Sequence, residues 1–195
     1  MRVVCDGAGA EKMGKPGGWA FIVLGDDDTV LAEGRGGEKK TTSLVMELTA
    51  AAEGLEAAAR LERSNSPANV AAGGDSPRNE RSNSPANVAA GGDSPRNTVE
   101  RSNGPANVAA GGDSPRNTVL VSDCKIALDV ATGAHLPKPQ KYHALCKRLR
   151  DAFLAVNATA RWVKAHSGEK WNEEVDARAA SAREETSTRR KRAAR

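Results

Sequence analysis

The chain has 195 residues, a formal net charge of +4 and a hydrophobic fraction of 38%. It has no apolar run near the roughly 20 residues that a membrane-spanning helix needs, and its N-terminus lacks the basic-then-apolar layout of a signal peptide. We therefore expect a soluble, cytoplasmic protein without a membrane partner, and a monomer, because no feature of the sequence demands a second subunit.

The first part of the chain is predicted to form three β-strands in a meander. Residues 2–6, 18–24 and 29–37 are rich in apolar and β-branched residues, and residues 25–28 supply the turn between the second and third strands. The first strand ends at Asp6, a position where an ionised carboxylate would lose hydration. Such a placement requires a physical reason.

A helix is predicted next, from the capping oxygens of Thr41, Thr42 and Ser43 to about residue 61. Apolar residues recur at spacings of three and four, at Leu44, Leu48, Ala51, Leu55 and Ala58. Glu47 lies on the border of this apolar face, so its carboxylate should face the sheet rather than water. A purely structural role would need a buried Arg or Lys partner, and none stands out nearby in the sequence.

A repeated segment follows this helix. The string at residues 62–79 returns at 80–97 and, with one change at Gly104, at 100–117. Each copy carries a single branched apolar residue and no net charge, so stacked copies would have almost no core to bury. We expect residues 62–117 to be a disordered insertion, whose closure cost rises only slowly with length. The rest, residues 1–61 and 118–183, would form one domain.

The second part of the chain continues the alternation of strands and helices. Its predicted elements are a strand at residues 119–122, helices at 125–131 and 142–156, a strand at 159–163 and a last helix at 171–182. A helical crossover makes the strand before Asp123 parallel to an earlier strand, so Asp6 and Asp123 should leave neighbouring central strands. The pattern predicts a mixed α/β sheet with helices packed on it.

Four acidic residues thus stand at strand ends or on the inner sides of helices: Asp6, Glu47, Asp123 and Asp176. If they converge, two carboxylates about 4 Å apart repel by roughly 4 kcal/mol at an effective dielectric near 20, so the cluster must bind protons or divalent cations. Hard oxygen ligands favour Mg²⁺ or Mn²⁺. The pattern indicates a metal-dependent phosphoryl-transfer site.

The order and contexts of these acids resemble those of type 1 ribonucleases H. The resemblance extends from Arg2 to about Arg183, apart from the repeated segment. It is most specific at Trp162-Val163-Lys164-Ala165-His166-Ser167-Gly168, followed by Asn172-Glu173-Glu174-Val175-Asp176. It implies the ribonuclease H-like fold, a five-stranded mixed sheet with helices on both faces. It also implies an endonuclease that cuts the RNA strand of RNA/DNA hybrids and leaves 5′-phosphate and 3′-hydroxyl ends.

The same resemblance implies roles for individual residues. Two Mg²⁺ ions, or Mn²⁺ ions, would be held by the four acids, with Asp6 bridging both ions, Glu47 and Asp123 mainly on one, and Asp176 on the other. His166 resembles the family's mobile histidine, which helps proton transfer or product release. The positions expected to contact the hybrid are Gly7, Ala8, Gly9, Lys40, Thr42 and Asn172.

The chain departs from the family pattern in places. Ser43 and Leu44 stand where asparagines are common, Ile126 stands where an aromatic residue is common, and residues 131–142 lack a basic, tryptophan-containing protrusion. Residues 184–195 form a basic tail. We hypothesise that it adds salt-sensitive affinity for the nucleic-acid backbone. A disordered, solubilising end is the alternative.

Two other functional classes remain open. One is a noncatalytic nucleic-acid-binding module of the same fold, which should have lost one or more of the acids that this chain retains. The other is a related metal-dependent nuclease or strand-transfer enzyme. Such enzymes commonly use fewer acids and lack His-Ser-Gly followed by Asn and Asp on a helix.

Overall fold

A five-stranded sheet lies at the centre of the structure, a computed structural model that describes residues 1–10, 13–65 and 118–193, with side chains to residue 189. The strands are β1 Arg2–Ala8, β2 Lys15–Leu24, β3 Val30–Thr41, β4 Val119–Ser122 and β5 Thr159–Trp162. The helices are α1 Ser43–Ser64, α2 Lys125–Thr132, α3 His143–Ala155 and α4 Lys170–Ala193. Most of the predicted insertion, residues 66–117, lies outside the described residues.

The strand order β3-β2-β1-β4-β5 confirms the predicted mixed sheet. β1 pairs with β2, and β2 with β3, in antiparallel fashion, whereas β4 is parallel to both β1 and β5. Val4 of β1 is opposite Val121 of β4. Two residues further along, Asp6 and Asp123 therefore lie side by side. Asp123 follows β4 directly, whereas β1 continues past its predicted end at Asp6 to Ala8.

Side chains alternate between two buried layers, one on each face of the sheet. Val3 of β1 and Leu120 of β4 pack with α1, α2 and α3. Their neighbours Val4 and Val121 pack on the other face with Val175 of α4. This period-two alternation confirms the prediction of helices on both faces. Among the described helices, none is long and apolar enough to cross a membrane.

Helix α1 begins as the sequence predicts and ends slightly later. Thr42 is its N-cap, with the Thr42 side chain accepting a hydrogen bond from the Val45 backbone N–H at 3.3 Å. The helix continues to Ser64, a few residues beyond the predicted end. Gly54 allows it to lie close to the sheet, because a Cβ there would be 2.5 Å from Val3 Cγ1.

Helix α4 corrects the prediction at the C-terminal end. We expected it to stop near residue 182, but it continues to Ala193 and includes most of the predicted tail. The extension contains good helix formers and neither Gly nor Pro. Contacts with β3 support it, since Arg35 Nη2 lies 3.0 Å from Glu185 Oε1.

Gly18 of β2 sets the distance between the sheet and α4. A Cβ at this position would lie 2.3 Å from the Ala179 carbonyl oxygen and 2.4 Å from the Arg183 backbone nitrogen. Both neighbours are backbone atoms of a regular helix, so neither can move without shifting α4. The absence of a side chain at Gly18 is therefore required for α4 to lie on the sheet.

We predict that Gly18→Ala lowers the free energy of unfolding by about 1–3 kcal/mol, because the added methyl group overpacks this contact. Urea denaturation measures the change. Ala180→Ser, which also adds one heavy atom but on the exposed face of α4, is the control and should change stability by no more than about 0.5 kcal/mol. Equal stability of Gly18→Ala and the unmodified protein would contradict the packing argument.

Candidate metal centre

The four acids predicted from the sequence lie together at one end of the sheet. Carboxylate oxygens of Asp6, Glu47 and Asp123 lie within 4.8 Å of one another. Asp176 is near enough to Asp6 and Glu47 to raise the pKa of both. The four side chains come from β1, α1, the end of β4 and α4, so only the folded chain brings them together.

Close packing of α1 against β1 brings Glu47 to this cluster. A Cβ on Gly7 would lie 2.2 Å from the Glu47 backbone nitrogen, and one on Gly9 would lie 2.6 Å from the Ser43 backbone nitrogen. The Ser43 N–H also donates to the Ala10 carbonyl oxygen at 2.9 Å. Gly7 and Gly9 are thus needed for packing within the protein, which is a different reason from the predicted close approach of substrate.

Burial and mutual repulsion disfavour ionisation of the two innermost acids. Asp6 is 6% exposed, and burial, followed by repulsion from Asp123 and Asp176, raises its pKa from 3.8 to about 7. Glu47 is 9% exposed, and burial, with repulsion from Asp6 and Asp123, raises its pKa well above the usual value. Within residues 1–10, 13–65 and 118–189, no Lys or Arg side chain forms an ion pair with any of these four acids.

The donor set fits divalent cations of the Mg²⁺ type. Glu47 Oε2 is buried and has no hydrogen-bond partner among the described residues. A buried carboxylate oxygen without a partner is costly, and two carboxylates 4.8 Å apart repel by roughly 3–4 kcal/mol at an effective dielectric near 20. Hard cations relieve both costs, because they bind several carboxylate oxygens at once.

Two side chains hold Asp123 in place. Asn172 Nδ2 donates to Asp123 Oδ2 at 3.1 Å, and the Trp162 indole N–H donates to the Asp123 carbonyl oxygen at 2.9 Å. Asn172 is 2% exposed, and its Oδ1 has no hydrogen-bond partner in the described part of the chain. The residue that we expected to contact substrate therefore has a first role inside the protein, as a partner of Asp123.

Trp162 has a position that the sequence analysis missed. Its side chain is 55% exposed although its N–H bonds to Asp123. The sequence predicts no aromatic residue beside Asp123, because Ile126 stands where one is common in the resembled family. The structure supplies an indole from β5 instead. The sequence signal was its position near the end of the strand predicted at residues 159–163. In the structure Trp162 is the last residue of β5 and pairs with Ser122, the last residue of β4.

His166 lies on the Asp176 side of the cluster, together with a further acid, Glu173. The Nδ1 atom of His166 is 3.7 Å from Asp176 Oδ2 and 3.8 Å from Glu173 Oε2. The other Glu173 oxygen accepts the Gly168 N–H at 3.2 Å. Glu173 thus ties the histidine loop to the first turn of α4, and its spacing of three residues from Asp176 was the available sequence signal.

The loop that carries His166 has an unusual backbone. His166 has φ 51° and Gly168 has φ 82°, both in the left-handed region. A histidine rarely adopts this conformation, so local contacts must stabilise it. Ser167 Oγ donates to the Lys164 carbonyl oxygen at 2.7 Å, and Glu173 accepts from Gly168. The His166 side chain remains 76% exposed.

The remaining predicted substrate positions differ in accessibility. Ala8 ends β1 and is partly buried, and Lys40 near the end of β3 is exposed. Thr42 is only 7% exposed, and its hydroxyl oxygen accepts the Val45 N–H as the cap of α1. Lys40 is therefore available to a ligand, whereas Thr42 already has a structural partner. Phosphate binding by either side chain stays a prediction.

Comparisons with models of protein families and with curated proteins give no match to this sequence. Similar solved structures do exist. The N-terminal ribonuclease H domain of a Mycobacterium tuberculosis protein, solved as a fusion with maltose-binding protein, matches with a TM-score of 0.59 at 16% identity, covering 96% of each chain. Ribonuclease H1 of Halobacterium salinarum matches with a TM-score of 0.57 at 17% identity, over 93% of this chain and 95% of that one.

A third similar structure is LC11 ribonuclease H1 in complex with an RNA/DNA hybrid. Its TM-score is 0.54 at 12% identity, and the match covers 93% of this chain and 97% of the other. The chain has the ribonuclease H fold, as the sequence resemblance implied. At these identities the likeness concerns the fold.

We predict that the raised pKa of Asp6 makes the metal-free protein less stable as the pH rises. The folded protein retains a proton up to about pH 7, whereas the unfolded chain releases it near pH 3.8. The stabilisation is therefore complete below about pH 4 and is lost as the pH rises through 7. Between pH 5 and pH 8, the loss should reach about 2–3 kcal/mol, at 1.36 kcal/mol per pH unit.

Urea denaturation in EDTA at pH 5 and pH 8 measures this loss, with Asp6→Asn as the control because it cannot titrate. The difference in stability between the two proteins isolates Asp6 from other titrating groups. Adding Mg²⁺ at pH 8 should stabilise the unmodified protein more than the variant. Identical pH dependence in both proteins would show that Asp6 titrates normally.

We predict that Glu173→Ala loosens the His166 loop without unfolding α4. Loss of a charge-assisted hydrogen bond to Gly168 should speed hydrogen–deuterium exchange over residues 166–168 by at least about tenfold. Glu174→Ala is the matched control, since Glu174 bonds to Arg178 at 2.8 Å and not to the loop. Equal exchange in the two variants would remove Glu173 from this role.

Proposed function

We propose that this protein is a metal-dependent endonuclease that hydrolyses the RNA strand of RNA/DNA hybrids. The observation that supports this most directly is that oxygens of Asp6, Glu47 and Asp123 lie within 4.8 Å of one another, near Asp176. Among the described residues, no Lys or Arg forms an ion pair with these acids. The cluster occurs on the ribonuclease H fold, and one similar structure of that fold contains an RNA/DNA hybrid.

The chemistry of the site follows from its ligands. Asp6, Glu47 and Asp123 would hold one divalent ion, Mg²⁺ or Mn²⁺, and Asp6 together with Asp176 a second. Bound there, such ions would lower the pKa of the attacking water and neutralise charge on the phosphate and on the leaving 3′-oxygen. Cleavage would leave a 5′-phosphate and a 3′-hydroxyl. Asp6 is the natural bridging ligand, because both Asp123 and Asp176 interact with it.

The protein's own residues orient these ligands and move protons. Asn172 donates a hydrogen bond to the side chain of Asp123, and Trp162 donates one to its backbone carbonyl oxygen. Together they hold Asp123 in place. His166 is exposed and lies near Asp176, so its imidazole can exchange a proton with the leaving group and with bulk water. Because Glu173 holds the His166 loop, it positions this imidazole rather than reacting itself.

The hybrid would approach the open side of this cluster. Exposed Lys40 offers a charge for a DNA phosphate, and the backbone around Ala8 would lie beside the 2′-hydroxyl of the RNA strand. Asn172 is buried, so we assign it primarily to Asp123. The catalytic domain would comprise residues 1–61 and 118–183, and the protein would act as a cytoplasmic monomer.

A cleavage assay tests this proposal. We expect the purified full chain, with Mg²⁺, to cut the RNA of a labelled RNA/DNA hybrid and to leave duplex RNA and duplex DNA intact. Asp123→Asn should lower the rate at least about 100-fold, because one anionic ligand is lost. Asp129→Asn is the matched control, since Asp129 is partly buried in α2 and lies outside the cluster.

Circular dichroism and urea denaturation should show that Asp123→Asn folds. Undiminished hydrolysis by the folded variant would exclude Asp123 from the reaction. Binding of hybrid by the unmodified protein with no cleavage in either Mg²⁺ or Mn²⁺ would favour the noncatalytic binding module. Cleavage of duplex DNA would favour the related nuclease class.

A further inference from the structure

The packing interface between β3 and α4, called the seam below, is held by ion pairs and by a close approach of the two backbones. Near its start, Arg178 Nη1 of α4 lies 2.6 Å from Glu33 Oε2 of β3. Further along, Arg35 Nη2 lies 3.0 Å from Glu185 Oε1. At both of these positions, a residue of β3 thus faces a residue of opposite charge on α4.

The next contact brings the two backbones close together. A Cβ on Gly37 of β3 would lie 2.3 Å from Thr186 Oγ1 of α4 and 3.2 Å from the Ala182 carbonyl oxygen. α4 therefore lies directly on β3 at this level. The segments that follow on each element, residues 38–41 and 187–193, must leave this contact from adjacent points.

Beyond Gly37 the charge pattern changes from complementary to like-charged. β3 continues with Lys39 and Lys40, and α4 continues with Arg189, all of them exposed. None of the three forms an ion pair or side-chain hydrogen bond within residues 1–10, 13–65 and 118–189. The neighbouring acid Glu38 is also exposed and does not pair with them. Lys15, opposite Thr41 in the sheet, adds a further exposed charge.

α4 carries additional basic residues immediately after Arg189, because Arg190, Lys191 and Arg192 belong to the same helix. We call Lys15, Lys39 and Arg189 the basic end of the seam. Like charges on adjacent elements repel, so this arrangement lowers stability in the absence of an anion. A repeating anion that crosses both elements removes that cost.

We propose that the basic end of the seam binds the phosphate backbone of a nucleic-acid duplex at a site separate from the acid cluster. This rests on the proposed function, because it identifies where the enzyme would hold its substrate outside the reaction centre. Arg189 lies 13 residues after Asp176 on one continuous helix, a separation of about 20 Å at 1.5 Å per residue. At about 3.4 Å per base pair, this corresponds to roughly six base pairs of duplex.

A simpler role for the basic residues is stabilisation of the helix end. Cations near a helix C-terminus interact favourably with its dipole, by about 0.3–1 kcal/mol each. That effect would change stability and leave nucleic-acid binding unaltered. The two roles are therefore distinguished by measuring both quantities on the same variants.

The test variant is the triple substitution Lys15→Gln, Lys39→Gln and Arg189→Gln in the full chain. The control is Arg60→Gln, Lys147→Gln and Arg150→Gln, which removes the same number of exposed positive charges from α1 and α3 on the opposite face of the sheet. A third variant, Arg189→Lys, preserves the charge at that position. Circular dichroism and urea denaturation establish that each variant is folded.

Affinity for an RNA/DNA hybrid and for duplex DNA is measured in EDTA at several salt concentrations. We expect the slope of log affinity against log salt to become shallower by about 2.7 in the test variant, because each of the three lost phosphate contacts contributes roughly 0.9 on duplex DNA. The control and the lysine variant should retain the original slope. Cleavage in Mg²⁺ should show a raised KM for the test variant with kcat unchanged, since none of the three removed charges belongs to the acid cluster.

An unchanged slope in the test variant, or an equal loss in the control, would overturn the proposal, as would binding of anionic lipid vesicles without any change in duplex affinity. The binding measurement does not need catalysis. A chain that fails to cut hybrid but loses salt-dependent duplex binding in the test variant would refute the proposed hydrolysis and retain the duplex site. Normal cutting of the hybrid, with an unchanged slope in the test variant, would support the proposed hydrolysis and refute the duplex site.

Discussion

The close approach of α1 to β1 at Gly7 is the constraint on which the rest of the site depends. A Cβ added at Gly7 would lie only 2.2 Å from the Glu47 backbone nitrogen. Any larger residue at position 7 would therefore push α1 away from the strand. Glu47 would then leave the neighbourhood of Asp6 and Asp123. The protein thus uses tight backbone packing to hold the carboxylates together. Burial of Asp6, followed by repulsion from Asp123 and Asp176, raises its pKa to about 7. This is a cost to the metal-free protein that bound cations would offset.

Helix α4 connects this cluster with a distant part of the surface. Its first turns carry Asn172, Glu173 and Asp176, which touch Asp123 or the His166 loop. Its later turns lie on Gly18 and then on β3, and it ends in a basic segment. Because a single rigid helix carries both groups, the distance between the reaction centre and the proposed duplex contact is fixed.

Some features were predictable because they depend on local physics. Strand β4 was predicted with its observed limits, since a short apolar run leaves few alternatives. The N-cap of α1 followed from the hydroxyl residues before an apolar helical pattern. The end of α4 was not predictable in this way, because its polar extension has a weak apolar period and is supported by Arg35 on a distant strand. β3 likewise extends to Thr41 through polar residues, because its backbone pairs with β2.

By itself, the sequence determined the alternation of strands and helices and identified the four acids as candidate ligands. Both follow from neighbouring residues, because apolar periodicity and carboxylates next to apolar segments are local features. Only the tertiary structure decided that Glu173 holds the His166 loop and that Asn172 and Trp162 hold Asp123. Those partners are separated by up to 49 residues from the groups they contact, and their distances depend on how strands pair and helices pack. The tertiary structure also brought Gly37 of β3 against Thr186 of α4. Long-range contacts of this kind are fixed by the fold and leave no local pattern.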